Sequence, residues 1–287
     1  MPPSPDSDRR PAADFHVAGG GVPAQPSSPA PPLPPASALL AFAAYLFDLD
    51  GVLTSTARIH ARCWKQVFDE LIRARAAGGA FVPFTAADYQ RFVDGKPRFD
   101  GVRAFLASRG MRLPEQAPAG SYADSVASVA EHKDTLVAQA IAAGEAQAYP
   151  GSVAFVRWLR AAGRRAAVVS SSHHAPLVLA KTGLEGYFDA VVSGADMDRE
   201  HIAGKPAPDI YLYAARRLGA SPPSAAVVED ALAGVAAGRA GGFGLVIGVA
   251  RRHDAQALRD NGAGLVVGDL AELLPSPSAP PPRAPQP

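Results

Sequence analysis

Asp48 and Asp50 lie two residues apart in Phe47-Asp48-Leu49-Asp50-Gly51-Val52-Leu53-Thr54-Ser55-Thr56, directly after the apolar run Leu39–Phe47. The run reads as a strand that delivers two carboxylates into a tight glycine turn. On a strand, positions i and i+2 share a face, and a loop at the carboxyl end of a parallel strand can aim one acid forward and keep the other beside it. Two acids this close repel unless a cation sits between them or one keeps a proton. The first is therefore a candidate nucleophile and metal ligand, and the second a candidate proton shuttle. A solvated strand-end turn has the same composition, so the assignment depends on what the later strand ends supply.

Three of them supply complementary chemistry. Ser170 follows Val168-Val169 and offers a hydroxyl and free backbone N–H groups at the start of a helix, which suits a phosphate. Lys205, in Gly204-Lys205-Pro206-Ala207-Pro208-Asp209, carries an ammonium able to neutralise a carboxylate and a transferring phosphoryl group. Glu229-Asp230 follows Val227-Val228 with hard oxygen ligands of the kind Mg²⁺ takes alongside water and phosphate. Read singly, these are also a serine helix cap, a surface lysine and an acidic helix start. In this order at successive strand ends they make one set.

The elements that position them follow from pattern. From Tyr149-Pro150-Gly151 onward, helices and strands alternate: helix Val153–Ala162, strand Arg165–Val169, helix Ala175–Thr182 and strand Ala190–Ser193. Helix Asp209–Leu218, strand Ala225–Val228, helix Ala231–Ala240 and strands Phe243–Ile247 and Gly264–Val267 complete the series. Such alternation predicts βαβ units around a parallel sheet. Between the first strand and this series the chain is almost wholly helical: Ala57–Arg75 up to Gly78-Gly79, Ala86–Val93 capped by Thr85, Phe99–Arg109, and Tyr122–Ala143. The expected organisation is α/β, a Rossmann-like parallel sheet core over residues 38–59 and 149–274. A helical cap inserted at residues 60–148 would lie over the carboxyl end of the sheet, where ligands bind in such folds. Residues 1–37, with eleven prolines and no apolar period, and residues 275–287 are expected to be disordered Pro-rich tails.

Composition narrows the function class. A formal charge of +1 argues against an electrostatic nucleic-acid binder. Cys63 is the only cysteine, so no disulfide framework or cysteine metal site is expected, in keeping with a reducing cytoplasm. The apolar stretch near residues 38–47 is too short to span a bilayer, and Met1–Pro35 lacks the pattern of a secretory signal. A monomer that binds neither nucleic acid nor membrane is expected.

Taken together, Asp48-Leu-Asp50-Gly51, Ser170, Lys205 and Glu229-Asp230 resemble the four motifs of the haloacid-dehalogenase-like superfamily over roughly residues 44–270. The helical block between the first two motifs resembles that of its β-phosphoglucomutase-like branch. The resemblance implies Asp48 as nucleophile, Asp50 as general acid/base, and Thr56 and His60 as groups coupling cap closure to Asp50. It implies Gly95 and Arg98, in Asp94-Gly-Lys-Pro-Arg98, as a grip on the distal phosphate of a sugar phosphate. Trp64, Lys96, Lys133, Ser172 and His174 would lie around the substrate, with Ser170 and Lys205 on the transferring phosphate. Mg²⁺ would be held by Asp48, Asp50 through its carbonyl, and Asp230, with Glu229 assisting. The implied reaction interconverts β-glucose 1-phosphate and glucose 6-phosphate; a sugar-phosphate phosphatase is the alternative on the same scaffold. The chain departs from the branch pattern at His173-His174, where a basic residue and an asparagine are usual. It departs again at Asp134, where an asparagine follows the cap lysine, and at Ser55, where an acid is common.

Overall fold

A computed structural model of the chain describes residues 33–75, 81–117, 123–251 and 253–275. The readings for residues 1–32 and 276–287, for Gly78-Gly79 and for residues 118–122 lie outside the described residues. The first elements are the short helix α1 (Ala36–Leu39) and strand β1 (Ala44–Phe47). The apolar run is thus a strand only in its second half. Its ladder begins where partners begin, with Ala44 opposite Arg165 on one side and Ala225 on the other. Leu39 instead turns under the sheet, where its carbonyl accepts the Tyr45 hydroxyl. A short apolar run does not by itself distinguish strand from buried turn.

Between β1 and the next strand come α2 (Thr56–Arg75), α3 (Ala86–Asp88) with a π-helical turn Tyr89–Val93, α4 (Arg98–Ser108) and α5 (Val126–Ala142). Thr85 and Asp88 form a reciprocal capping box at the start of α3. α5 starts four residues later than the alanine-rich run suggests, because Ser125 and Ser128 cap each other's backbone N–H there. The rest alternates: α6 (Pro150–Ala161), β2 (Arg165–Val169), α7 (Ala175–Thr182), β3 (Ala190–Val192), α8 (Gly194–Glu200), α9 (Asp209–Arg217) and β4 (Ala225–Glu229). Then follow α10 (Leu232–Ala240), β5 (Leu245–Val249), α11 (Ala255–Asp260) and β6 (Leu265–Val267). α8 and α11 are short, polar and without apolar period, so pattern did not signal them. β5 runs two residues later than its apolar run suggests; Phe243 is instead set edge-on against Tyr211 at 6.1 Å.

All six strands are parallel, in the order β3-β2-β1-β4-β5-β6. β1 sits in the middle with both faces buried, which is why it reads as a continuous apolar run. Its period of two sends Tyr45 and Phe47 into one layer and Ala44 and Leu46 into the other. The segment between β1 and β2 has a third apolar cluster of its own, in which Phe68 of α2 meets Phe105 of α4 at 4.1 Å between ring centres. α2 runs unbroken through residues 59 and 60: Ile59 and Cys63 pack with the sheet layer, and Trp64 onward with the insert. α5 behaves likewise, with Val129 and Ala130 in the insert cluster and Val137 and Ile141 in the sheet layer. These two helices thus contribute to both the insert cluster and the sheet layer.

Candidate active site

Asp48 is the first residue beyond β1, and its backbone N–H still donates to the Val228 carbonyl at 2.9 Å, so the strand pair sets its direction. Its Oδ1 accepts from Lys205 Nζ at 2.6 Å. The same ammonium donates to Glu229 Oε1 at 2.6 Å. Tyr211 Oη adds a bond of 2.9 Å to that oxygen, while Glu229 Oε2 accepts the N–H groups of Asp230 and Ala231, each at 2.9 Å. Four donors therefore hold Glu229 beneath the site. Asp230 comes forward beside Gly51, where a β-carbon would lie 1.9 Å from Asp230 Oδ2; with φ at +99°, that turn requires a residue without a side chain.

Asp48, Glu229 and Asp230 bring carboxylate oxygens within 4.8 Å of one another. Burial, and then the neighbouring carboxylates, push Asp48 well above the usual carboxylate range against the pull of Lys205. Burial also works against the Lys205 charge, but Asp48 and Glu229 outweigh it and hold the ammonium well above the ordinary lysine range. Three buried acids against one buried cation form a set that a divalent ion would complete, and all-oxygen donors fit a hard one.

Asp50 turns the other way. Its Oδ1 accepts from Thr56 Oγ1, itself 2.7 Å from Thr54 Oγ1, and its Oδ2 accepts from Ser170 Oγ at 3.3 Å. His60 Nε2 stands 3.6 Å from Asp50 Oδ1. On the far side of that ring Lys133 Nζ lies 3.1 Å from Nδ1. The ammonium can only donate, so the ring proton is on Nε2, facing Asp50. Burial, then the Lys133 charge, drive His60 down to about 4, and burial lowers Lys133 to about 8. At neutral pH the pair is therefore a neutral imidazole and an ammonium.

One pocket is lined by Asp48, Asp50, His60, Arg98, Lys133 and Asp230, among others. Arg98 opens α4; its guanidinium lies over Phe99 at 4.7 Å and its buried Nε has no hydrogen-bond partner among the described residues. Gly95, with φ at +73°, carries the carbonyl that receives Ser171 Oγ at 3.5 Å, seating the loop on the sheet domain. Lys96 lines the same pocket while its Nζ reaches Arg91 O at 3.3 Å. Ser172 lines it too, its Oγ accepting the His174 N–H at 3.2 Å. Trp64 is stacked on Phe68 at 4.9 Å and overlain by Lys133 Nζ at 5.1 Å, so it packs as much as it lines. His174 is outside the pocket wall and pairs with Asp134. Tyr211, and the buried pair of Asp94 Oδ2 with His253 Nε2 at 3.0 Å, were not singled out from sequence. A tyrosine on the apolar face of α9 was the available signal, since a buried hydroxyl needs an acceptor.

The sequence profile of the haloacid dehalogenase-like hydrolases matches residues 42–242. The chain belongs to this family. It is 48% identical over 238 residues to a β-phosphoglucomutase of Mycobacterium bovis, covering 80% of this chain and 91% of the relative. It is 30% identical to a fructose-1-phosphate phosphatase of Escherichia coli, over 71% of this chain and 95% of that one. The crystal structure of a β-phosphoglucomutase from Clostridium difficile shares the fold, with a TM-score of 0.66 at 22% identity over 81% of this chain and 93% of that one. Membership in the haloacid dehalogenase-like hydrolases, and the resemblance to β-phosphoglucomutases, make the chain an enzyme of the phosphotransfer kind. Among the described residues no helix is long and apolar enough to cross a membrane.

Proposed function

We propose that this enzyme interconverts β-D-glucose 1-phosphate and glucose 6-phosphate through a phosphoryl group carried on Asp48. The observation that supports a mutase is the second cation site. Arg98 lines the pocket that also holds Asp48 and Asp50, and its buried Nε has no hydrogen-bond partner among the described residues. A bisphosphate intermediate must be gripped by its idle phosphate while the other reacts, and a guanidinium does this bidentately.

In the first half-reaction a carboxylate oxygen of Asp48 bonds to phosphorus as the bond from phosphorus to the sugar oxygen breaks, and Asp50 gives that oxygen its proton. In the second, a sugar hydroxyl gives its proton to Asp50 and takes the phosphoryl group from Asp48. Thr56, Ser170 and His60 orient Asp50 for both steps, and Lys205 holds Asp48 and reaches the transferring phosphate. Trp64, Lys96, Lys133 and Ser172 bound the sugar. Mg²⁺ held by Asp48, Asp230 and the Asp50 carbonyl, with Glu229 behind them, would supply positive charge against the phosphoryl oxygens. Closure of residues 60–148 over 38–59 and 149–274 excludes water, an advantage of up to roughly 7–11 kcal/mol when the reactants are well aligned. A cytoplasmic monomer with dispensable tails completes the reading.

The second reading, a sugar-phosphate phosphatase, is favoured by the likeness to the Escherichia coli phosphatase. One assay separates them: incubate with β-glucose 1-phosphate, Mg²⁺ and a trace of the bisphosphate, and follow glucose 6-phosphate and free phosphate together. The mutase reading expects glucose 6-phosphate to dominate. It also expects Arg98→Ala to depress transfer at least roughly thirtyfold, from ~2 kcal/mol or more for a lost charged bidentate contact, while slow hydrolysis survives. Free phosphate as the main product would replace it with the phosphatase.

A further inference from the structure

The insert reaches the loops of the sheet domain through two histidine–aspartate pairs that the transfer chemistry leaves unused. His174 Nε2 stands 3.1 Å from Asp134 Oδ1, and His253 Nε2 stands 3.0 Å from Asp94 Oδ2. In both, the imidazole comes from a loop at the carboxyl edge of the sheet and the carboxylate from the insert. His174 follows β2 and His253 follows β5, strands on opposite sides of β1 and β4 in the sheet order. Asp94 and Asp134 both line the pocket. The insert is thus held from two sides above Asp48.

Asp134 is linked to Asp50 through its chain neighbour. It neighbours Lys133 on α5, whose ammonium meets the ring that faces Asp50. Burial opposes its charge, but the close approach of His174, then Lys133 and Arg98, outweigh it and hold Asp134 at about 2. Asp134 is therefore ionised wherever an enzyme of this kind is assayed. The pair is only partly exposed, 16% for His174 and 25% for Asp134, so water screens it incompletely. Through the His174 N–H and Ser172 Oγ, the contact passes directly into the serine loop.

We propose that Asp134 and His174 are a positioning pair that clamps α5 to the serine loop and decides whether the phosphoryl group on Asp48 passes to a sugar hydroxyl or to water. The inference rests on the phosphotransfer reading above. Neither residue touches the reacting atoms; they act through the placement of α5, which carries Lys133 against His60. Both outcomes balance alike: an oxygen bonds to phosphorus as the bond to Asp48 breaks, and its proton goes to Asp50. What differs is whether that oxygen belongs to a sugar or to water, and a loosened clamp admits water.

The test uses the full chain with β-glucose 1-phosphate, Mg²⁺ and a trace of bisphosphate, reading glucose 6-phosphate, free phosphate and thermal unfolding for each protein. Asp134→Asn and His174→Ala should each raise the ratio of free phosphate to glucose 6-phosphate about fivefold, the equivalent of ~1 kcal/mol for one partly buried polar contact. The double variant should go no further than either single one, because both remove one contact. His174→Lys, which puts an ammonium donor opposite Asp134, should return the ratio toward that of the parent chain. An unchanged ratio in both single variants, additive effects in the double, or an equal loss of both products with a lowered unfolding temperature would overturn the inference. A parent chain that forms neither product refutes the phosphotransfer reading and this inference with it. Transfer by the parent chain with an unmoved ratio refutes this inference alone.

Discussion

Replacing Lys205 by methionine removes the single ammonium around which the base of the site is arranged while keeping a side chain of similar length. Lys205 Nζ touches Asp48 Oδ1 and Glu229 Oε1 at 2.6 Å each, and only 1% of its side chain is exposed. Breaking a buried pair by removing one partner costs ~3–5 kcal/mol, because the surviving charge stays buried. Here two carboxylates survive, so the middle of that range or above is expected at pH 7 without divalent ions. With ~4 kcal/mol and a urea slope of about 3 kcal/mol/M, the unfolding midpoint should fall by roughly 1.3 M. The pH sign follows from Asp48, whose folded carboxyl already lies above its unfolded value through burial. Such a group binds its proton first in the native state, so acidification favours folding. Without Lys205 that elevation grows, and the deficit should shrink from pH 7 to pH 5. Urea unfolding followed by circular dichroism at both pH values, with and without Mg²⁺, checks this; added Mg²⁺ should recover part of the loss. A midpoint within about 0.3 M of the parent at pH 7, or the same deficit at both pH values, would refute the idea of a charge cluster built around one cation.

Burial holds Lys133 at about 8, so kcat/KM for β-glucose 1-phosphate should fall as pH rises through that value and the pocket loses a cation; Lys133→Met should flatten that limb of the profile. Tyr211→Phe deletes the 2.9 Å bond to Glu229 Oε1 and should cost ~1.5–3 kcal/mol in denaturant unfolding, the range for a hydrogen bond to a charged group. Gly51→Ala places a β-carbon 1.9 Å from Asp230 Oδ2. It should raise the Mg²⁺ concentration for half-maximal thermal stabilisation at least about tenfold, as loss of a supporting contact does at metal sites.

What the sequence determined by itself is local. Asp48 and Asp50 at the end of an apolar run, Ser170 after Val168-Val169 and the alternation from residue 149 onward each follow from chemistry within a few residues, so the α/β fold and the order of the motifs were legible. The extent of β1 was not, because a strand ends where its partners end: Ala44 pairs with Arg165 and Ala225, while Leu39 closes the short helix α1. The different surroundings of Glu229 and Asp230 were equally hidden. Strand alternation buries Glu229 under Lys205 and Tyr211, and the turn after it brings Asp230 against Gly51, a contact between loops far apart in the chain. Asp48 and Asp50, alike by spacing, separate because one meets Lys205 and the other meets Thr56 and Ser170. The pairing of His174 with Asp134, two departures from one family pattern, is a property of α5 packed against the start of α7. Residue types and spacing specify which chemistry is possible, since side-chain functional groups are local. What surrounds each acid is decided by burial and by partners that the fold alone brings within hydrogen-bond reach.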